Sequence, residues 1–558
     1  MSQIRKQSII SSIVVYIGFA IGFFNTYLFT REGGFTQAQY GLTGIFMAVA
    51  NIMFSVANLG MPSYIHKFYP YYNDNLPPKK NDQLTWAIVF SLLGFCMVII
   101  GGILFKDMVI RKYGTNAPDL VKYYYYIFPF GMGLTLFSIL EAYAWQVKKS
   151  VFSNFLKEIQ FRIFTTILIL LSFTGIIASF DLFIKIYSFT FLGVAIILLA
   201  YLFWSKRVFF TFSVSRISKK FFKKIIALIS FVYGGSLVFT ISMVIDTIII
   251  AAVLPNGLAM AGIYTLAQNI ASLIQAPQRG IVSSSLAALS QAWKDKDMKR
   301  INRIYHSSSI NQLIFSVGMF ALIWLNFSDA IPAFHMQSDY REAMWVFFYI
   351  GLMRIVDMGT GVNSQIINTS TFWRFDFLTG IILLSLTLPL NYLLTKKLGV
   401  TGPAIANLIT FTIYNAIRYW FLIKKFKLQP FTLKTVYTLV LAAISFYTCY
   451  LLFKNLHGFA GMIIRSIVFL ILFIAGSFML KLSPDLLPVW KTLQKKTGHK
   501  KRRLKNLLNN YLKISYSQVS GNVNLPPLTN FLLQYVSDKL LMVTPTLVLA
   551  CVKYPFPK

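Results

Sequence analysis

Residues 389–408 read Pro-Leu-Asn-Tyr-Leu-Leu-Thr-Lys-Lys-Leu-Gly-Val-Thr-Gly-Pro-Ala-Ile-Ala-Asn-Leu. A short basic turn at Lys396 and Lys397 separates two apolar runs, at about 375–394 and 402–423. A helix rising about 1.5 Å per residue needs roughly 20 apolar residues to cross a bilayer, and both runs meet that length. Gly399 and Gly402 flank the turn, where small residues let helix backbones approach closely. Pro403 falls in the first turn of the second helix, where proline is tolerated. The stretch reads as two membrane helices joined by a tight turn.

The same pattern extends in both directions. Apolar runs occur at about 8–30, 41–63, 86–105, 123–146, 160–178, 182–204, 225–252, 259–290, 308–327, 343–368, 434–453 and 459–480, which with the first two makes fourteen. The fold class is therefore an all-α polytopic membrane protein of about 14 transmembrane helices. Composition agrees: 56% of residues are hydrophobic and 13% charged, against about 25% charged in soluble domains. Mean hydropathy is +0.62.

The net charge of +35 raises the question of nucleic acid, but the placement of the charges argues against such a partner. Lys and Arg gather in alternate connections, as the positive-inside rule requires. With the N-terminus in the cytoplasm, the inside connections hold 26 basic residues and the outside ones nine. This bias places both termini inside. The connection between runs three and four, with Lys106, Arg111, Lys112 and Lys122, fits the rule poorly. Cys96, Cys449 and Cys551 form no disulfide framework. The first run is too long for a cleaved signal and reads as a retained span.

A basic connection at 205–224 divides the first twelve runs into two sixes, 1–204 and 225–424. Tyr40-Gly41-Leu42 before run two resembles Ala261-Gly262-Ile263-Tyr264 before run eight, as internal repeats would. Transporters built from such repeats bind cargo between them near mid-membrane. Runs thirteen and fourteen, within 425–480, read as an added pair. Residues 481–558 form a basic tail with a dense block from Lys491 to Lys505, which reads as solvated and poorly ordered.

The 389–408 junction resembles that of the polysaccharide and O-antigen flippases, in the multidrug/oligosaccharidyl-lipid/polysaccharide exporter superfamily. There an Asn near the end of span eleven precedes a basic turn and a Gly-x-x-Gly-x-Ala-x-Ala pattern. Here these are Asn391, Gly399, Gly402, Ala404 and Ala406, with Pro403 in place of the usual small residue. Thr30-Arg31 closing span one and Tyr40-Gly41 opening span two are also similar. The resemblance covers about residues 1–480. It implies two six-helix lobes in a V, opening alternately to each face, plus the two extra helices. It further implies a lipid-linked oligosaccharide as cargo, carried on undecaprenyl diphosphate across the bacterial inner membrane, with membrane lipids, a glycan polymerase and chain-length machinery as partners.

Such a cargo needs cations for its diphosphate, and charges inside spans face the bundle interior. Arg279, after the helix-breaking Pro277, Arg354 in span ten and Arg31 at the end of span one are the candidates. Asp357 lies three residues after Arg354, a spacing that allows pairing on one helix face. Asp246, the lone carboxylate of span seven, and Glu141 in span four join Asp357 as candidates for coupling transport to H⁺ or Na⁺, and no other cofactor is expected. Asn51, Asn58, Gln268, Asn269, Asn363 and Gln365 are candidates for sugar hydroxyls. Gly18 and Gly22 form a Gly-x-x-x-Gly packing site in span one.

Three rivals remain open at this level: a drug exporter, a peptidoglycan-precursor flippase, and a membrane polymerase or glycosyltransferase. The last expects catalytic acids or His in a sizeable outer loop, and the outer connections at 106–122 and 328–342 show no recognisable arrangement. No Walker-type loop or nucleophile elbow is present in the sequence. The chain is read as a transporter and not an enzyme.

Overall fold

A computed structural model describes residues 3–206 and 208–483; the side chains of residues 3–13, 231, 232, 279, 283, 287 and 373 lie outside the description, as does the basic tail from 484. All fourteen apolar runs are helical. The first half comprises α1 (Gln3–Thr30), α2 (Gln37–Ala57), α3 (Met61–Asn75), α4 (Gln83–Leu104), α5 (Lys106–Tyr113), α6 (Pro118–Lys122), α7 (Ile127–Gln146), α8 (Ser150–Phe155), α9 (Phe161–Phe173), α10 (Phe180–Tyr187) and α11 (Thr190–Trp204). The second comprises α12 (Arg216–Val253), α13 (Gly257–Ser272), α14 (Gln278–Lys294), α15 (Met298–Ala333), α16 (Ala343–Gly359), α17 (Asn363–Thr369), α18 (Trp373–Leu398) and α19 (Gly402–Phe426). The last pair is α20 (Leu433–Leu452) and α21 (Gly458–Met479).

Among the described residues, 9 helical stretches are long and apolar enough to cross a membrane, or 10 if the bent pair α16–α17 is one span. One of the nine, Arg374–Phe426, contains both α18 and α19. Two of the remaining runs are irregular. A wide turn at Leu156–Gln160 leads into run five, and run eight breaks between Ser272 and Gln278, where Pro277 stands at the start of α14 as its ring chemistry predicts.

Local chemistry sets several helix ends. Thr36 and Gln39 form a reciprocal capping box that opens α2. Ser215 accepts from the Ser218 N–H and starts α12, whose 38 residues run without a break. Its first turn is tied to the first half by a buried relay. The Tyr64 hydroxyl donates to that of Tyr72 (2.8 Å), Tyr72 meets Ser218 Oγ (2.7 Å), and Ser218 donates to Asp82 Oδ2 (2.8 Å). Asp82 also accepts from the Ser215 N–H (2.9 Å) and is fully buried. Burial pushes the Tyr72 hydroxyl above its ordinary range, which keeps it a donor. Asp82→Ala is therefore expected to cost about 1–3 kcal/mol by stranding buried donors. Thermal unfolding of detergent-purified protein tests this, with Asp82→Asn, which keeps one acceptor, recovering part of the loss.

Helices α1–α11 are termed the first lobe, α12–α19 the second, and α20–α21 the added pair. In the first lobe Phe130 stacks on Tyr187, and Phe161 stacks on Phe191. In the second, Phe320 and Phe347 join α15 to α16. Helices α20 and α21 lean on α15, where Phe473 fills the space over Gly318. Arg465, the charge within run fourteen, forms an ion pair with Asp329 at the end of α15.

The lobes meet along α2, α12 and α13. A Cβ on Gly41 would lie 1.9 Å from the Leu258 carbonyl oxygen, and one on Gly262 would lie 2.3 Å from that of Gln37. The two segments with repeat-like sequence thus oppose each other, glycine to glycine. Around them Gln37 donates to Asp339 (3.0 Å), the Glu32 N–H to the His335 carbonyl (2.8 Å) and Asn116 to the Ala252 carbonyl (3.1 Å). The bundle is closed at this end, which the charge bias assigns to the outside. The anomalous basic connection is accounted for here: Lys106 sits over Tyr125, Lys112 over Tyr392, and Lys122 beside Asp181.

Candidate functional site

The wide turn at Leu156–Gln160 brings three charged side chains, Lys157, Glu158 and Arg162, to the wall of a cavity between the lobes. Such turns recur at functional sites because they re-aim side chains off the regular helix face. The cavity measures about 460 Å³. Helices α1, α2 and α9 supply one side, and α12 and α13 the other.

Arg162 is the best-held cation in it. Its Nη1 donates to Glu158 Oε2 (2.9 Å) and to the Glu158 carbonyl (2.8 Å). The guanidinium lies in the groove left by Gly18 and Gly22. A Cβ on Gly18 would come 2.6 Å from Nη1, and one on Gly22 2.9 Å from Nε. Asn25 donates to the Arg162 carbonyl (2.8 Å) and accepts from Thr166 (2.5 Å), anchoring α9 to α1. Lys157 is paired with the buried Glu141 (2.9 Å), so Glu141 stands behind the cavity wall.

Polar side chains share the space with Arg162. Asn51, Gln268 and Asn269 line the cavity, and Asn269 donates to the Tyr40 hydroxyl (2.7 Å). A second pocket of about 300 Å³, with apolar walls, shares Phe23, Thr26 and Leu273 with the first. A polar chamber thus abuts an apolar one.

A small cavity of about 20 Å³ lies between Asp246, Tyr264, Gln268, Arg354 and Asn407. That volume holds about one water-sized species. Asp246 Oδ2 accepts from Tyr264 (2.7 Å) and Asn407 (2.6 Å). Its Oδ1, Asn407 Oδ1 and Arg354 Nε are buried without hydrogen-bond partners. Asn391, beside Asp246, also has both amide atoms unpartnered. Buried polar atoms of this kind call for an explanation, and this mix of donors and acceptors beside the Arg354 guanidinium suits a water or a proton on Asp246.

Other predicted residues fall elsewhere. Arg354 and Asp357 do not pair. Arg354 turns to the Asp246 cavity, while Asp357 accepts from Gln278 (3.1 Å) and Asn415 (3.2 Å) across helices. Arg31 packs over Phe173 and its backbone bridges Met336, apart from the cavity. Arg279 is the second residue of α14, and its side chain lies outside the description. Asn58 caps α2 and donates within it. Asn363 bonds to Asn415 (2.8 Å) in the second lobe, and Gln365 sits in α17 away from the cavity walls. Gly399 has φ +66 in the turn, and Gly402 lets α19 close on Leu394. Arg162, Lys157 and Glu158 carry the central cavity, yet by sequence they read as part of an inside connection. The i, i+4 spacing of Glu158 and Arg162 at the head of run five was the available signal.

Neither a family model nor a curated protein sequence matches the chain. Solved structures do. A lipid II flippase, MurJ, in an inward closed conformation aligns with TM-score 0.66 at 16% identity, covering 86% of this chain and 100% of that one. An inward-facing multidrug resistance MATE transporter of the MOP superfamily aligns at 0.56 and 13% identity, over 74% and 93%. A MOP superfamily transporter from Pyrococcus furiosus aligns at 0.50 and 15%, over 75% and 94%. At these identities the likeness concerns architecture: the chain has the helical fold shared by MOP superfamily transporters.

Proposed function

We propose that the protein is a flippase for a lipid-linked oligosaccharide, carrying an undecaprenyl-diphosphate repeat unit from the cytoplasmic to the outer leaflet by alternating access. The observation that carries this reading is the cation-bearing interlobe cavity at Arg162 abutting a wholly apolar pocket. An amphiphile with an anionic headgroup and a long hydrocarbon tail matches both chambers. Arg pairs with phosphate through a planar fork, and Asn51, Gln268 and Asn269 suit sugar hydroxyls. The fold is shared with a lipid II flippase and with a multidrug transporter, and the paired polar and apolar chambers favour the lipid-linked cargo. The bacterial inner membrane is the location that goes with this cargo.

The test is the lipid-linked glycan pool of each leaflet after depletion. Completed units accumulating inside, restored by the wild-type chain, support the flippase. Unpolymerised units accumulating outside would instead make it a polymerase, and unchanged pools a small-molecule exporter.

Coupling is assigned to Asp246. Asp246→Asn should leave folding intact and reduce transport roughly tenfold, the effect of one charge-dependent contact. Residual transport should no longer respond to an imposed Na⁺ or pH gradient in proteoliposomes. Retention of the wild-type gradient response would remove Asp246 from the mechanism.

A further inference from the structure

We propose that a second, larger cavity is a docking site for the diphosphate-bearing headgroup, anchored by Arg418; this deepens the flippase reading and rests on it. The cavity measures about 1170 Å³ and lies at the basic end of the bundle, opposite the glycine closure. It is walled by α3, α12, α17, α18 and α19. Along α12 its last lining residue is Phe239, and the central cavity begins at Met243. Those four residues span about 6 Å of helix, so the two chambers are successive stations on one path.

Arg418 is only 4% exposed. Its Nε donates to Thr379 Oγ1 (3.2 Å), its Nη2 pairs with Asp376, and its guanidinium stacks on Tyr414 with Cζ 3.8 Å from the ring centroid. Ser364 holds the same Asp376 oxygen (3.1 Å). The fork is therefore immobilised on three sides, while Nη1 makes no hydrogen bond among the described residues. Lys67 from α3 and Lys224 from α12 line the same space and are exposed. Neither is within ion-pair distance of a carboxylate among the described residues. Three cations against Asp376 alone leave two positive charges in the lining.

This is the chemistry of a diphosphate: a fixed planar donor flanked by two ammonium groups. Phe68, Tyr71, Phe221 and Phe377 add aromatic faces, which suit sugar rings. The volume exceeds that of common small-ligand pockets, about 300–1,000 Å³, and has room for several sugars that the central cavity lacks. Docking here lets the Arg418 edge and the lysines gather the headgroup before it reaches Arg162.

The experiment measures binding of geranylgeranyl diphosphate, geranylgeraniol and inorganic pyrophosphate to purified protein in nanodiscs. The wild type should bind the prenyl diphosphate and not the alcohol. Arg418→Gln and the double variant Lys67→Ala/Lys224→Ala should each weaken binding at least about tenfold. The double variant changes exposed residues only, where substitutions move stability by about 0.5 kcal/mol or less, and an unchanged melting temperature separates its loss from misfolding. Loss in Arg162→Gln with full binding in both vestibule variants would overturn the docking site and leave the flippase standing. Pyrophosphate binding as tightly, with the same losses, would overturn the lipid-linked source. No prenyl diphosphate binding by the wild type would sink both readings together.

Discussion

Arg162→Gln is expected to reduce transport of the lipid-linked glycan roughly 10- to 150-fold, since a charge-assisted contact is worth about 1.5–3 kcal/mol. Arg162 is the cation that two glycines and a carboxylate hold in place at the central cavity. Gln reaches about as far as the Arg162 Nε, so it covers the groove over Gly22 but leaves the Nη1 position over Gly18 open. The substitution removes the Arg162–Glu158 ion pair, and the double variant Glu158→Gln/Arg162→Gln separates that cost from loss of the cation. Transport should remain low in the double variant while its melting temperature recovers. Arg162→Lys should retain part of the activity, because an ammonium keeps the charge but not the fork. Wild-type flux in Arg162→Gln proteoliposomes would exclude this cavity as the cargo site.

Gly41→Val should block the cycle at the opposite end of the molecule. Its Cβ would sit 1.9 Å from the Leu258 carbonyl, a backbone atom that cannot rotate away. Helices α2 and α13 must then separate, which breaks the surrounding bonds such as Gln37 to Asp339. Overpacking of this kind costs about 1–3 kcal/mol, enough to shift a two-state equilibrium roughly 5- to 150-fold against the closed form. Flux should fall accordingly. Asn269→Cys, placed in a background with Cys96, Cys449 and Cys551 changed to Ser, should become more reactive to an impermeant thiol reagent added outside. Unchanged reactivity with normal flux would show that the glycine contact is not a gate. Gly262→Val should behave alike, since its Cβ meets the Gln37 carbonyl.

Much of this architecture was legible in the chain. The Pro277 break, the tight turn at Gly399 and the helical state of each apolar run follow from local rules. Residues whose roles depend on partners were harder to place. Arg354 and Asp357 sit three apart and read as a pair, yet no ion pair closes between them: Asp357 accepts from Gln278 and Asn415, while Arg354 lies against the Asp246 cavity. Arg31 reads as a phosphate ligand, but the chain reversal after α1 carries it onto Phe173. Arg162 reads as part of an inside connection, while Arg418, inside the run 402–423, falls under the rule that in-span charges face the bundle interior, yet is not among the cations singled out from the sequence.

The sequence by itself determined the helices, their order and the charge asymmetry between the ends, because bilayer length and backbone satisfaction act on each segment alone. Only the tertiary structure decided which side chains share a cavity. Asp246 meets Asn407 across 161 residues of chain, and Asn25 meets Arg162 across 137. Those contacts arise from how one helix packs on another. Within lipid that packing depends on shape and small-residue grooves more than on apolarity, and the pattern of apolar runs does not encode it.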